Sequence, residues 1–302
     1  MTGRLVPPGL RPGDRVVVVA PSGPVDPDRL AAGLRMLSEW GYHPEAGPHV
    51  LASDPAAPYL AGTEAQRASD LEQAWCDPDV AAVLCARGGY GAGRLVDLLD
   101  WDRMAAAGPR LLVGSSDVTA LHLAVGRRLG LVSLFAPMVA SALVTVDREP
   151  ASLAHLRAAL ADPATLQPVG GHHATTVHPG RARGVLAGGT LALLAAAVGT
   201  PDTPVLDGCV LLLEDVGESP HRLDRMLEQL ERSGALAGVR GIAVGSLHEC
   251  GPGAEAVLVR RLGALGLPMV VGLDVGHGAV QLSVPLGAEV VLDADRRQLL
   301  PT

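Results

Sequence analysis

The stretch Leu111-Leu112-Val113-Gly114-Ser115-Ser116-Asp117 joins an apolar strand to the start of a helix. A short, continuous apolar run of this kind indicates a strand that is buried on both faces, as in a parallel sheet. A helical pattern then continues to about Leu129. The stretch is therefore one strand–turn–helix unit, and its two serines lie in the turn.

The same kind of unit occurs earlier in the chain. Residues 15–20 form an apolar run that ends at Pro21-Ser22-Gly23, and Asp26-Pro27 then supplies a helix cap and a proline suited to the first helical turn. Residues 80–86 form another buried strand, which ends in Arg87-Gly88-Gly89-Tyr90-Gly91. Strands and helices that alternate in this way predict an α/β fold, a parallel sheet with helices on both faces.

The alternation stops in a stretch rich in proline and glycine at residues 163–183. We interpret this stretch as a linker or long loop. It divides the chain into an N-terminal α/β domain at residues 1–162 and a smaller C-terminal α/β domain at residues 184–302. Strand and helix patterns alternate again in the second domain.

Three histidines of the linker, His172, His173 and His178, are the candidates for a metal site. No carboxylate or cysteine stands at ligand spacing beside them, so a solvated loop is the preferred interpretation. We therefore expect no metal and no cofactor. The four cysteines lack C-x-x-C spacing and fit reduced, mostly buried thiols of a cytoplasmic protein.

The composition excludes several kinds of chemistry. The 302 residues include no lysine, so all 24 positive charges are arginines. A lysine Schiff base, a lysine general base, a P-loop lysine and a Ser–Lys dyad are therefore impossible. A net charge of −8 disfavours binding to nucleic acid. We see no apolar run of signal-peptide or membrane-span length, so we expect no membrane partner.

The turn of the opening stretch has the setting of a nucleophile elbow, in which a serine hydroxyl is exposed on a sharp strand-to-helix turn. A glycine two residues before the nucleophile lets the turn tighten, which favours Ser116 over Ser115. The second glycine of the G-x-S-x-G pattern is absent. The same residues therefore also fit a simple helix cap.

Two backbone segments are candidates for an oxyanion hole. The N–H of Asp117 lies at the start of the helix, where it would point at charge developing on a carbonyl oxygen. Gly88 and Gly89 are candidates for the second donor, because glycines allow close backbone approach at the end of a strand. An ordinary strand-to-helix turn is the alternative for both segments.

A serine nucleophile needs a base, and the base needs an acceptor that orients it. Among ten histidines, His277 differs from the rest because it lies between two glycines just after an apolar strand. Glu214 and Asp215 end another apolar strand, where a carboxylate is costly unless it is paired. Either acid is a candidate partner for a histidine, and the spacing does not choose between them.

Taken together, these segments resemble the LD-carboxypeptidases, serine peptidase family S66, which also contains the microcin C immunity peptidases. The resemblance covers nearly the whole chain, and its motifs stand in family order. They are Arg11-Pro12-Gly13-Asp14 with Ala20-Pro21-Ser22-Gly23; Tyr59-Leu60-Ala61-Gly62-Thr63 with Arg67 and Asp70-Leu71; Ala86-Arg87-Gly88-Gly89-Tyr90-Gly91; Gly114-Ser115-Ser116-Asp117-Val118-Thr119; Gly188-Gly189-Thr190-Leu191; Leu213-Glu214-Asp215 with Gly217-Glu218 and Arg222-Leu223-Asp224-Arg225; and Gly276-His277-Gly278 with Pro285-Leu286-Gly287.

The resemblance implies a catalytic triad on Ser116, Glu214 and His277, and the L-E-D motif selects Glu214 over Asp215. It also implies a Rossmann-like parallel sheet in the N-terminal domain and a C-terminal α/β domain that supplies the glutamate and the histidine. Its oxyanion hole would use the amide after the serine and one amide of the R-G-G-Y-G loop. Those amides fall on Asp117 and on Gly88 or Gly89.

Three positions depart from the family pattern. The residue before the nucleophile is usually aromatic and is Ser115 here, and the usual G-P-M appears as Ala136-Pro137-Met138. The usual G-G-N ends in Thr190 instead of asparagine, a residue type that this chain lacks. No triad member is lost, but Ser115 and Ala136 would alter the substrate pocket.

The activity implied by the resemblance is that of a cytoplasmic serine carboxypeptidase, a hydrolase that removes the terminal D-alanine of murein tetrapeptides in peptidoglycan recycling. Its partner would be a small muropeptide, and because the family is often dimeric, a homodimer is a candidate assembly that the sequence itself does not decide. The free carboxylate of D-alanine needs a cationic or amide-lined pocket. Arg87 is a candidate for that role, with a structural ion pair as the alternative.

Two other functions remain open at this point. The first is a microcin-immunity-like peptidase that cleaves an amide or carboxamide in an aminoacyl nucleotide. That substrate would need a stacking residue, and the three tryptophans all lie in or beside predicted helices of the N-terminal domain. The second is a muropeptide-binding protein that has lost turnover, against which an intact triad argues.

Overall fold

The computed structural model describes residues 4–165 and 167–302. Short 3-10 helices cover Ala92–Leu95 and Ser116–Val118, and a π-helical turn covers Val125–Leu129. The strands of the described residues are β1 Arg15–Val19, β2 His43–Ala46, β3 Val80–Cys85, β4 Leu111–Gly114, β5 Ser133–Phe135, β6 Thr175–His178, β7 Arg181–Thr190, β8 Cys209–Val216, β9 Gly241–His248, β10 Met269–Val271, β11 Val284–Leu286, β12 Glu289–Asp293 and β13 Gln298–Pro301. The α-helices are α1 Pro27–Glu39, α2 Glu64–Cys76, α3 Trp101–Ala107, α4 Thr119–Ala124, α5 Ala142–Thr145, α6 Pro150–Ala161, α7 Leu191–Ala197, α8 Pro220–Arg232 and α9 Ala254–Gly263.

The first sheet has the order β11-β5-β4-β3-β1-β2. Strands β1 to β5 are parallel, and β11 alone runs antiparallel at the edge beside β5. The parallel strands therefore follow the order 2-1-3-4-5 of a doubly wound sheet. The order reverses between β1 and β3, where such sheets hold ligands beyond the carboxyl ends of their strands.

Alternate residues of the central strands enter two separate cores. Val16 and Val18 of β1 pack on the face that α1 and α6 cover. Val17 and Val19 pack on the opposite face with α2 and α3. The expectation of an α/β fold with a parallel sheet covered on both faces is confirmed.

The second sheet has seven strands in the order β13-β12-β7-β8-β9-β10-β6. Strands β7 to β10 are parallel, while β12, β13 and β6 are antiparallel additions at its edges. Its two faces carry separate cores, one of which packs against α8 and α9. The C-terminal half is therefore a second mixed α/β layer, as expected.

The two halves interlock at one edge. Strand β11 comes from the C-terminal half but pairs with β5 of the first sheet. Phe135, on β5, is fully buried in a core that it shares with Leu186 and Leu212 of the second sheet. The two sheets therefore share one hydrophobic core, and loops from both halves of the chain meet next to it.

Residues 163–183 differ from the expected linker. They contain strand β6, which pairs with β10, and the first residues of β7. The half-exposed strand β6 lies at a sheet edge and carries a polar sequence, so no apolar pattern marks it. The boundaries 1–162 and 184–302 remain predictions.

The cysteines are free among the described residues, and Cys85, Cys209 and Cys250 are buried. Burial raises the pKa of the Cys85 thiol far above its ordinary value, so this cysteine stays protonated. As for membrane insertion, none of the helices in residues 4–165 and 167–302 combines the length and the apolar character that a bilayer crossing requires.

Candidate active site

Ser116 occupies a strained turn at the carboxyl end of β4. Its φ is 59°, a left-handed value that few residues other than glycine adopt. Gly114 leaves room for the turn, because a Cβ there would lie 3.0 Å from Cys85 and from Val118. Ser116 is partly exposed, whereas Ser115 is 2% exposed. The turn thus presents Ser116 and buries its neighbour, the arrangement of a nucleophile elbow.

The glycine loop after β3 lies directly against this serine. A Cβ on Gly88 would stand 2.9 Å from Ser116 Oγ, so any larger residue would collide with the hydroxyl. Gly89 has a φ of 117° and faces the backbone of Gly23 instead. Of the two glycines predicted for the oxyanion hole, the structure brings Gly88 into contact with Ser116 and Gly89 into contact with the loop after β1.

Asp117 begins the short 3-10 helix with Ser116, so its backbone N–H belongs to the first turn. Its side chain is 3% exposed and turns inward. Oδ2 accepts hydrogen bonds from Ser22 Oγ at 2.6 Å and from the Ala92 N–H at 2.7 Å. The backbone and the side chain of this residue therefore face different parts of the site.

Glu214 and His277 form a buried pair. Glu214 has no exposed surface, and its Oε2 lies 2.7 Å from His277 Nδ1 and 3.3 Å from the His277 backbone N–H. A Cβ on Gly276 would collide with the same oxygen, so the glycine permits the close approach of Glu214. The other oxygen, Oε1, accepts from the Thr190 hydroxyl.

Asp215 has a different role from its neighbour. Its carboxylate accepts from the Ala192 N–H at 2.9 Å, in the first turn of α7, and from the Val216 N–H at 2.8 Å. Burial raises the pKa of Asp215 to about 6, although these two N–H donors oppose the shift. The pairing of β8 with β9 shifts register between Leu213 and Asp215, and in that segment both consecutive acids are buried.

The charge on Glu214 also sets the protonation of His277. Burial by itself would lower the pKa of His277. The hydrogen bond and charge of Glu214, with the charge of Asp215, outweigh burial and raise the pKa of His277 above its ordinary value. The imidazole is therefore a stronger base than a free histidine.

Thr190 connects the serine side of the site with the acid side. Its N–H donates to Thr119 Oγ1 at 3.2 Å, and Thr119 follows Ser116 by one helical turn. Its hydroxyl donates to Glu214, which bonds His277. Within the described residues, Ser116 Oγ and the His277 ring are not hydrogen-bonded to each other.

Arg87 lies exposed on the glycine loop. Its Nη1 donates to the Pro24 carbonyl at 2.9 Å, so its recorded partner among the described residues is a carbonyl and not a carboxylate. The arrangement does not support the structural ion pair that was its alternative role. The guanidinium lies beside the loop after β1, since a Cβ on Gly23 would stand 3.5 Å from its Cζ.

Two tyrosines form a feature that the sequence did not reveal. Tyr59 and Tyr90 are 55% and 52% exposed, and their rings meet edge to face at 5.9 Å. Arg94 lies over the Tyr90 ring at 5.5 Å. These side chains form an aromatic surface on the glycine loop, whereas Trp75 is fully buried. Nothing in the spacing of two tyrosines 31 residues apart predicts their contact.

The linker histidines do not converge. His172 Nδ1 lies 2.9 Å from Asp274, and His178 Nε2 lies 2.8 Å from the Gly263 carbonyl. The side chain of His172 is 78% exposed, as in a solvated loop. These contacts hold the segment to the second sheet.

Two family models match the chain. The LD-carboxypeptidase N-terminal domain matches residues 16–136, and the LD-carboxypeptidase C-terminal domain matches residues 183–292. The murein tetrapeptide carboxypeptidase of Pseudomonas aeruginosa is 37% identical over 299 residues, which cover 93% of this chain and 94% of that protein. A Streptomyces coelicolor protein whose provisional name is carboxypeptidase is 52% identical over 294 residues, 96% of this chain and 93% of its own.

A solved structure of MccF bound to glutamyl sulfamoyl guanosine has the same architecture. It superposes with a TM-score of 0.88 at 21% identity and covers 99% of this chain and 98% of its own. At that identity the likeness is one of fold. The assignment of the chain to a family therefore rests on the two family models and the two sequence relatives.

Proposed function

The chain belongs to the LD-carboxypeptidase family, serine peptidase family S66, and from that premise we propose that it removes the terminal D-alanine of murein tetrapeptides with Ser116, His277 and Glu214 as its triad. One observation carries the proposal. A fully buried Glu214 holds His277 by Nδ1, while a strained turn of the opposite half presents Ser116. This combination of orienting acid, base and exposed hydroxyl is what acyl transfer to serine requires.

In the proposed reaction, Ser116 Oγ attacks the carbonyl carbon that precedes D-alanine, and His277 Nε2 takes the hydroxyl proton. Glu214 accepts the Nδ1 proton of His277 in a hydrogen bond, so the tautomer leaves Nε2 free to act as the base. The same carboxylate stabilises the imidazolium that forms. His277 then gives the proton to the departing amine of D-alanine, and a water molecule hydrolyses the acyl-enzyme.

The backbone around Ser116 supplies the oxyanion hole in this proposal. The N–H of Asp117 and one N–H of the Gly88–Gly89 segment would bind the charge that develops on the carbonyl oxygen. Contact between Gly88 and Ser116 supports the assignment. Arg87 would bind the free carboxylate of D-alanine, since its guanidinium is exposed beside the same loop.

The test is hydrolysis of purified L-Ala-γ-D-Glu-diaminopimelyl-D-Ala, followed by mass spectrometry for loss of one alanine. We expect turnover by the wild type and none above background by Ser116→Ala. Ser38→Ala removes an exposed hydroxyl on α1 and serves as the matched control, with wild-type turnover expected. Activity that survives Ser116→Ala would contradict the triad, and tetrapeptide binding without product would point to a binding protein.

A parallel reaction with an aminoacyl sulfamoyl nucleotide distinguishes the microcin-immunity-like activity. The tyrosine surface of Tyr59 and Tyr90 offers an exposed aromatic partner, whereas Trp75 is fully buried. We nevertheless favour the tetrapeptide, because the sequence relative at 37% identity is a murein tetrapeptide carboxypeptidase. Faster cleavage of the nucleotide than of the tetrapeptide would reverse that preference.

The proposal also places the protein in the cytoplasm as a homodimer. Free cysteines are typical of a reducing compartment. Cell fractionation and light scattering at micromolar concentration test the two statements. Recovery outside the cytoplasmic fraction would overturn the first, and a monomeric mass would overturn the second.

A further inference from the structure

The side chain of Asp117 joins three loops beneath the candidate nucleophile. Asp117 lies in the turn after β4, Ser22 in the loop after β1, and Ala92 at the end of the glycine loop after β3. A single oxygen, Oδ2, accepts from Ser22 Oγ at 2.6 Å and from the Ala92 N–H at 2.7 Å. The three strands whose carboxyl ends surround the site are therefore tied together at one buried atom.

A buried carboxylate is costly unless hydrogen bonds compensate its lost hydration. Asp117 is 3% exposed, and its two recorded hydrogen bonds come from neutral donors. Both distances are short, as expected for hydrogen bonds to a charged acceptor. The sequence therefore buries a carboxylate beside the site. A neutral residue would fill the same space without the cost of losing a carboxylate's hydration, so packing alone does not explain this residue.

Arg67 strengthens the same junction from the other side. This arginine is 2% exposed, and its Nη1 donates to the Pro21 carbonyl at 2.6 Å and to the Gly91 carbonyl at 2.9 Å. Pro21 directly precedes Ser22, and Gly91 directly precedes Ala92. Asp117 and Arg67 thus bind adjacent residues in the same two loops. Asp117 accepts from Ser22 and Ala92, and Arg67 donates to Pro21 and Gly91.

The glycine loop is therefore fixed at both ends. At its far end, Ala92 is held by Asp117. At its near end, the Gly23 N–H donates to the Gly88 carbonyl at 3.1 Å, and Gly23 follows the Ser22 that Asp117 also holds. Gly88, the residue that lies against Ser116, is itself the near anchor, so this hydrogen bond holds the glycine loop where it meets the serine.

From this network we propose that the Asp117 carboxylate, with Ser22, is the positioning group of the oxyanion hole. It sets the glycine loop at the correct distance from the Asp117 N–H, so that both amides reach the same oxygen. The proposal rests on the proposed function, and it gives a role to the P-S-G motif after β1. Asp117 and Ser22 act through the backbone and do not themselves touch the reacting atoms.

The test uses a fluorophosphonate probe on the full chain, so it does not depend on the natural substrate. Ser116 Oγ would form a bond to phosphorus, the P–F bond would break with loss of fluoride, and His277 would take the hydroxyl proton. The phosphoryl oxygen then occupies the oxyanion hole. The readout is the second-order rate constant of labelling, with Ser116 identified by peptide mass spectrometry, and thermal melting reports stability separately.

We expect Asp117→Ala to slow labelling by about 10- to 100-fold, since a displaced loop misplaces a donor by a fraction of an ångström or more. Asp117→Asn keeps an acceptor oxygen and should recover most of the rate. Ser22→Ala removes one of the two donors to Asp117 and should slow labelling less than Asp117→Ala does. Asp70→Ala is the matched control, because Asp70 is also 3% exposed and accepts a loop N–H, that of His49, at 2.8 Å.

Two results would overturn the positioning role. One is an unchanged labelling rate in both Asp117→Ala and Ser22→Ala. The other is an equal loss of rate in Asp70→Ala, which would mean that lower stability alone explains the effect. A wild type that labels at Ser116 but leaves the tetrapeptide intact would refute only the substrate, and a wild type that does not label would refute both proposals.

Discussion

His277 Nδ1 lies 2.7 Å from Oε2 of Glu214, a carboxylate with no exposed surface. The two residues come from different parts of the second half of the chain, and Thr190 joins them to the helix that follows Ser116. Because a buried carboxylate is stabilised by a positive partner, the pair favours the charged imidazole that forms when a serine loses its proton.

Replacing Glu214 with Gln should lower kcat by about 10⁴-fold, because an amide no longer holds the His277 tautomer by charge. The fold should persist, as the substitution keeps the volume. Steady-state kinetics on the tetrapeptide measure the effect. Glu289→Gln, at an exposed position on β12, is the control and should retain full activity. A loss of less than about tenfold in Glu214→Gln would contradict the orienting role.

The pH profile of kcat/KM should show an acid limb with a midpoint above 6.5, the ordinary histidine value, because the pKa of His277 is raised. The base works in its neutral form, so activity falls as the pH drops through the raised pKa. Glu214→Gln should move the midpoint of any residual activity to lower pH. A midpoint below 6.5 in the wild type would mean that a different group titrates.

Thr190→Val should lower both kcat and stability. Valine keeps the volume but removes the hydroxyl that donates to Glu214 Oε1, and a buried acceptor without its donor costs about 1–3 kcal/mol. We expect a fall in kcat of about tenfold, and Thr190→Asn should restore part of it by supplying an amide donor. The control is Thr176→Val on β6, whose hydroxyl bonds the Ala294 carbonyl. If that variant loses as much kcat as Thr190→Val, the hydrogen bond to Glu214 is not the cause.

Local signals predicted the central strands of the first sheet and the tight turn that holds Ser116. Val16–Val19 alternates between two cores, and the glycine before Ser116 fits the strained turn observed at φ 59°. Asp26 caps α1 through the Arg29 N–H, as its position before a proline predicts. Each of these features depends on a few neighbouring residues, which is why the sequence alone indicates them.

Contacts between residues that lie far apart in the sequence could not be predicted from local signals. Spacing left Glu214 and Asp215 equivalent, because consecutive residues of a regular strand point to opposite faces and the register shift that buries both is invisible in the sequence. Strand β6 has a polar sequence and is defined only by its neighbour β10. The resemblance to a known family supplied the choice of Glu214 that physical reasoning from one sequence did not.

Arg87→Met should raise KM for the tetrapeptide by about 10-fold or more while leaving kcat within about twofold, since a lost charge-assisted hydrogen bond weakens binding of the D-alanine carboxylate. Arg87 is exposed, so thermal melting should not change. Arg29→Met, at an exposed position on α1, is the control. A substrate amidated at its C-terminus should bind both proteins equally. If it still distinguishes them, the arginine recognises some other group.

His122 should make the fold sensitive to acid. Its Nε2 donates to the Gly114 carbonyl at 2.9 Å, and its Nδ1 lies 2.8 Å from Ser133 Oγ. Burial lowers the pKa of His122 to about 4, below its value of 6.5 in the unfolded chain. The unfolded state therefore binds the proton first, and stability falls as the pH drops from 6.5 towards 4. The total contribution is roughly 3 kcal/mol.

The measurement is the free energy of urea unfolding at several pH values between 7.5 and 4.5. His122→Gln keeps a donor for the Gly114 carbonyl but cannot titrate. The difference in the free energy of unfolding between wild type and variant should therefore become smaller as the pH falls. Carboxylates and the other histidines titrate alike in both proteins and cancel in that difference. His43→Gln, at an exposed position on β2, should keep the wild-type dependence on pH. A difference between His122→Gln and wild type that is constant with pH would show that His122 is not held neutral by the fold.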